Sequence, residues 1–211
     1  MKRTFLIFVI GLIHMSSFSQ PREVYVNDDL IDISKAEFDK KTDEQLYFEI
    51  RLESDTLIIN VKVDRFKKGR IPKTQHDAIR RELSAARHQK IDEQTILVIN
   101  YYPGLDRCNS TGLSHYRKEA YDRYIKKIKR FKNVNQFFVY KSPEGTRDYG
   151  EKVKWYKDNS AIIENIFFPI HYPCGSYVLI DSKGNYYVQK GEHSTNTIIS
   201  LLKDEEGTFG N

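Results

Sequence analysis

The run Thr95 to Tyr102 (TILVINYY), closed by Pro103-Gly104, constrains this chain more than any other segment. It is almost continuously apolar, so its side chains need cover on both sides. That is the position of a central strand in a largely parallel sheet with helices packed on both faces. The flanking sequence supplies those helices. Upstream, Lys73 to His88 places Ala78, Ile79, Leu83 and Ala86 at helical spacing. Downstream, Leu113 to Phe131 carries a stripe of Leu113, Tyr116, Ala120, Tyr124, Ile128 and Phe131. The pattern then predicts a strand at Gln136 to Tyr140, a helix around Asp148 to Asn159, strands at Ser176 to Asp181 and Tyr186 to Lys190 on either side of Lys183-Gly184, and a last helix over Thr195 to Lys203. Ahead of these, Leu46 to Leu52 and Thr56 to Val63 read as a hairpin turning at Glu53-Ser54-Asp55. Glu23 to Lys41 reads as a tether or edge element with a short strand at Val24 to Val26. Strands alternating with helices imply an α/β class with right-handed crossovers and an antiparallel closing hairpin.

The first residues have the form of an export leader: Lys2 and Arg3, the apolar run Thr4 to Ile13, then Ser17-Phe18-Ser19 with small residues where a signal peptidase reads. A signal peptide over 1–19 would leave Gln20 as the new N-terminus. The run is short of the roughly 20 apolar residues that span a bilayer, so no stable membrane insertion is expected after cleavage. The leader resembles those of Bacteroidetes-type bacteria, which implies a periplasmic or secreted protein. Lysine and arginine exceed aspartate and glutamate by five, with the two signs interspersed, which favours solubility over nucleic-acid binding. The basic residues of the segment Tyr116 to Lys132 read as a solvated helix face, and a protein of the cell envelope is the expected partner. No nucleophile elbow, phosphate loop or zinc-protease motif is present, and no cofactor is expected. Only two cysteines occur, Cys108 and Cys174. In an oxidising compartment they either pair or do redox work.

From about Asp55 to Lys203 the chain resembles the thioredoxin superfamily. The most specific match is Ser176-Tyr177-Val178-Leu179-Ile180-Asp181-Ser182-Lys183-Gly184-Asn185 followed by Val188-Gln189-Lys190-Gly191, which is similar to the terminal hairpin of periplasmic thiol-disulfide oxidoreductases. The resemblance implies a thioredoxin-like mixed sheet flanked by helices over 55–205, with an N-terminal β-hairpin extension beginning in 20–54. In that family a C-x-x-C motif after the buried strand supplies a nucleophilic and a resolving thiol. Here the stretch reads Cys108-Asn109-Ser110-Thr111: Cys108 lies on the nucleophile position, and Thr111 stands where the resolving cysteine belongs. Dithiol chemistry within one motif is therefore excluded. The resemblance also implies a cis-proline loop facing the motif, at Pro173 or, by position, Gly175. That would bring Cys174 opposite Cys108.

Several readings of the pair follow from the resemblance. A permanent disulfide would pin the two loops and contribute about 4 kcal/mol in the chain-entropy model. A cycling one would use Cys108 as nucleophile and Cys174 as resolver, making the protein an atypical oxidoreductase. Two thiolates with His171 or His115 would suit Cu(I) or Zn(II), as in copper chaperones of the Sco type, although their C-x-x-x-C motif is absent. The leading expectation is a non-catalytic binding module that lacks the dithiol motif.

Overall fold

In the computed structural model, residues 21–40, 43–110 and 114–210 are described. The predicted leader over 1–19 and Thr111 lie outside them. In chain order the elements are β1 (Arg22–Asn27), α1 (Lys35–Lys40), β2 (Tyr47–Glu53), β3 (Leu57–Asp64), β4 (Phe66–Arg70), α2 (Lys73–Arg87), β5 (Ile96–Tyr102), α3 (Ser114–Ile128) and β6 (Val134–Tyr140). A 3-10 turn at Thr146–Tyr149 leads to β7 (Trp155–Lys157), α4 (Ile162–Phe167), β8 (Ser176–Ile180), β9 (Asn185–Gln189), α5 (Thr195–Lys203) and α6 (Glu205–Phe209).

The strands form a six-stranded sheet in the order β4-β9-β8-β5-β6-β7 and a three-stranded sheet in the order β1-β3-β2. Within the larger sheet β5 runs parallel to β6 and antiparallel to β8, which is antiparallel to β9. A parallel β5–α3–β6 crossover followed by an antiparallel β8–β9 hairpin and a closing helix is the thioredoxin-like architecture. Both sulfur-bearing loops belong to this unit.

Every residue of β5 is buried, and its side chains alternate between two cores, as a strand's period of two dictates. Leu97, Ile99 and Tyr101 face a cluster with Ile79 and Leu83 of α2, Ile163 and Phe167 of α4, and Val61 and Val63 of β3. Ile96, Val98 and Tyr102 face the other, with Tyr124, Ile125 and Ile128 of α3 and Ile198 and Leu202 of α5. The polar interruption of the run, Asn100, is buried at 3% exposure. Its Oδ1 accepts from Gln136 Nε2 at 2.7 Å and lies 3.1 Å from the Tyr124 hydroxyl, while its Nδ2 has no hydrogen-bond partner among the described residues.

The expected N-terminal hairpin is β2–β3, paired antiparallel from Tyr47↔Asp64 to Glu53↔Ile58, with β1 added in parallel on the other side of β3. This small sheet packs on the α2 face through Val26, Val61 and Val63 rather than lying apart. A helix over Asp148 to Asn159 does not form. Gly150, at φ +89°, ends the 3-10 turn. Trp155 then lodges in an aromatic cluster 5.5 Å from Tyr102, 5.6 Å from Phe138 and 5.2 Å from Tyr149, so the segment pairs with β6 as β7. The stripe of α3 also differs from expectation: Tyr116 is exposed. Tyr124 and Ile128 of the expected stripe are buried and Phe131 packs against their cluster, but Ile125 and the half-buried Tyr121 join this face in place of Tyr116, and Leu113 lies outside the described residues. Strand β4 (FKKGR) shows no apolar alternation because it is a solvent-facing edge, the setting in which lysines block further pairing.

The two sheets are also joined by a buried ion pair between Asp28, in the turn after β1, and Lys190, which follows β9. Lys190 Nζ lies 5.5 Å from the Tyr172 ring centroid. Removing one partner strands the other charge in the interior. Asp28→Ala is expected to cost about 3–5 kcal/mol, read as a lower urea midpoint with unchanged slope, and Asp28→Leu combined with Lys190→Met is expected to recover most of it. Full stability of Asp28→Ala would show that the pair does not clamp the sheets.

Candidate functional site

The register of the sheet brings three loops to one edge. Strand β5 ends at Tyr102, Tyr101 lies opposite Ser176 at the start of β8, and Tyr177 lies opposite Gln189 at the end of β9. The loop after β5, the loop before β8 and the loop after β9 therefore meet at the carboxyl end of β5, where open α/β sheets place their functional groups.

The first loop is built around a reciprocal pair of Asx contacts. Asp106 Oδ1 accepts the Asn109 amide at 2.8 Å, while Asn109 Oδ1 accepts the Asp106 amide at 2.9 Å. Asn109 Nδ2 also donates to the Gly104 carbonyl at 3.0 Å, and the Asn109 carbonyl accepts from Arg117 Nη2 on α3 at 2.7 Å. Asn109 is 4% exposed, so this short loop has a polar core of its own. Such local side-chain bonds are why Asp and Asn favour turns.

The second loop carries Tyr172, Pro173, Cys174 and Gly175. Cys174 has φ +69° and Gly175 φ +105°. A Cβ at Gly175 would sit 3.0 Å from the Tyr101 carbonyl oxygen, so both the backbone conformation and the close approach call for glycine. The two loops are joined twice. Asp106 Oδ2 accepts the Cys174 amide at 3.0 Å, and Cys108 and Cys174 form a disulfide with their Cα atoms 5.2 Å apart. Cys108 is exposed and Cys174 half-buried.

The third loop completes the edge. The Gly191 amide donates to Ser176 Oγ at 3.1 Å, and His193 Nδ1 lies 3.1 Å from the Gly191 carbonyl with its ring edge-on to Tyr177 at 4.8 Å. Burial holds the His193 imidazole below its ordinary 6.5, with bonds to the Gly191 and Gly175 carbonyls acting the other way. The Glu192 carboxylate reaches the disulfide: one of its oxygens and the two sulfurs all lie within 4.8 Å of one another.

The candidates picked out in the sequence fare unequally. Cys108 and Cys174 are together. The peptide bond before Pro173 is trans, as are all others among the described residues, so the cis-proline that the resemblance implies is absent here. Cys174 and Gly175 make the turn through positive φ instead. His171 contacts Asp106 Oδ2 at 3.2 Å, and His115 contacts Glu119 of its own helix at 3.1 Å. Neither histidine belongs to the sulfur cluster, where Glu192 stands in their place. The Asp-x-x-Asn spacing of residues 106 and 109 is a readable turn signal; nothing in the sequence singles out Glu192 or His193.

No known family's sequence model matches the chain, and no curated protein matches it. Among solved structures it is similar to the bacterioferritin comigratory protein of Xanthomonas campestris, at 14% identity over 53% of this chain and 80% of that one, with a TM-score of 0.39. It is similar to the thioredoxin domain of a thiol-disulfide oxidoreductase from Bacteroides vulgatus, at 9% identity over 54% and 80%, TM-score 0.36. A reduced 2-Cys peroxiredoxin from Plasmodium vivax shares 14% identity over 76% and 93%, TM-score 0.40. These likenesses are remote, and the fold rests on the strand order.

The lowered His193 value has a pH consequence. The unfolded chain takes up the proton at about pH 6.5, before the folded one does, so stability falls as the pH drops below that value and levels off beneath the folded value. Burial lowers His76 in the same sense. Replacing His193 with Gln is expected to remove its share of the slope in urea midpoints measured from pH 7.5 to 5. An unchanged slope would show that His193 titrates alike in both states.

Proposed function

We propose that this protein carries out thiol-disulfide exchange with a protein dithiol or disulfide in an oxidising, extracytoplasmic compartment, using Cys108 as the attacked sulfur and Cys174 as the resolver. The observation that carries this reading is the exposure of Cys108 at the sheet edge, where a purely structural bridge gains nothing from being open to solvent. Two further features support it. The Asp106 bonds fix the backbone of both loops independently of the sulfurs, so the bond can open and re-form without a search. The export-type leader and a disulfide as the state of the only two cysteines agree with an oxidising compartment. No helix among the described residues is long and apolar enough to cross a membrane.

The exchange proceeds by two displacements. A partner thiolate attacks Cys108 Sγ; the bond to Cys174 breaks, its electron pair leaves on Cys174 Sγ, and a mixed disulfide joins the partner to Cys108. A second partner thiolate attacks the partner's own sulfur in that mixed disulfide, and Cys108 leaves as a thiolate. The partner departs oxidised, two electrons remain on the protein, and each thiolate takes its proton from water. The reverse sequence oxidises the protein.

A binding module with a permanent bridge is the second reading, favoured by Thr111 in place of a motif cysteine. Reduction separates the two. The exchange reading expects the folded protein to be reduced by millimolar dithiothreitol without denaturant, and Cys174→Ser to trap a mixed disulfide at Cys108 with a model disulfide peptide, while Cys108→Ser traps none. A bond that resists until unfolding, with a potential below about −300 mV, would assign it a structural role.

A further inference from the structure

Glu192 is the residue that neither the fold nor the exchange steps explain. It follows Gly191, whose positive φ of +76° turns the loop and where an added Cβ would lie 3.3 Å from Phe48 of β2. Among the described residues no hydrogen bond or ion pair engages its carboxylate, yet one oxygen is within 4.8 Å of both sulfurs. In the oxidised chain a disulfide offers a cation almost nothing. Reduction changes that, because it yields two thiols that a metal can deprotonate, beside a carboxylate.

We propose that the reduced protein binds one Zn(II) through Cys108 Sγ, Cys174 Sγ and Glu192, and that forming the disulfide abolishes the site. The inference rests on the exchange reading only in requiring that the bond open in the folded chain. Two sulfurs at about 2.3 Å from one tetrahedral ion lie about 3.8 Å apart, and a carboxylate oxygen at about 2.0 Å lies about 3.5 Å from each. Once the S–S bond is broken, the sulfurs separate into that range without moving the backbone, because the Cα atoms are 5.2 Å apart and both loops are held by Asp106. With an oxygen no more than 4.8 Å from either sulfur, Glu192 reaches that range by a side-chain adjustment. The mixed donor set suits borderline Zn(II) better than Cu(I), which prefers sulfur alone. Three protein ligands leave the fourth position open to water or to a partner's side chain.

The test starts from full-length protein reduced with a phosphine in the absence of denaturant. Thiols are counted, and the protein is then titrated with Co(II) as a spectroscopic probe and with Zn(II) as competitor. Two thiols per chain, one Co(II) per chain with thiolate-to-cobalt absorption, displacement by Zn(II) and no binding to the oxidised chain are expected. Glu192→Gln should keep both thiols yet bind Co(II) at least about tenfold more weakly, and Cys108→Ser should lose the charge-transfer band. Two thiols without stoichiometric cobalt, or equal binding by Glu192→Gln, overturns the proposal alone. No thiols without denaturant overturns it together with the exchange reading.

Discussion

Strand β5 is the constraint on which the rest depends. All its side chains are buried, odd and even positions in different cores, so it can exist only with layers above and below and paired strands on both sides. Helices α2 and α4 with the small sheet close one face, α3 and α5 close the other, and β6 and β8 take its hydrogen bonds. The same burial dictates where chemistry can occur. Side chains along the strand are committed to packing, and the first exposed residue past its end is Leu105.

Asp106 ties that edge together. One carboxylate serves two loops: Oδ1 closes the turn that carries Cys108, and Oδ2 receives the amide of Cys174, with His171 alongside. Bonds of this charge-assisted kind are stronger than neutral ones, and they also hold Cys174 at a positive φ that costs an L-residue about 1–2 kcal/mol. The disulfide is thus laid over a framework that already positions both cysteines. The N-terminal strands contribute from below: Phe48 of β2 packs on Tyr172, next to Pro173-Cys174, and occupies the space a side chain at 191 would need, and Asp28 engages Lys190. The extension buttresses two of the three loops.

Much of this was legible from residue patterns. Helices α2 and α5, strand β5 and the β8–β9 hairpin follow from apolar periodicity and from turn residues such as Asp181 and Gly184, because in these segments local preference and tertiary packing agree. The failures have physical causes. The segment after Tyr140 is decided by an aromatic cluster around Trp155 that recruits residues from distant parts of the chain, and no local period reports it. Strand β4 is an edge whose lysines mimic a loop. In the site, the two cysteines are rare and stand out, and Asp106 with Asn109 forms a local signal. Glu192 is one acidic residue among many, brought to the sulfurs solely by the register of β9 against β8.

The central claim is that the Asp106 carboxylate holds the loops bearing Cys108 and Cys174 together even when the sulfur bridge is open. Amide hydrogen exchange at the Cys174 N–H, followed by NMR in the oxidised and the reduced protein under native conditions, tests it most directly. The account requires comparable protection in both states, since the acceptor Asp106 Oδ2 survives reduction. Loss of protection on reduction, to the level of an exposed loop amide, would contradict it.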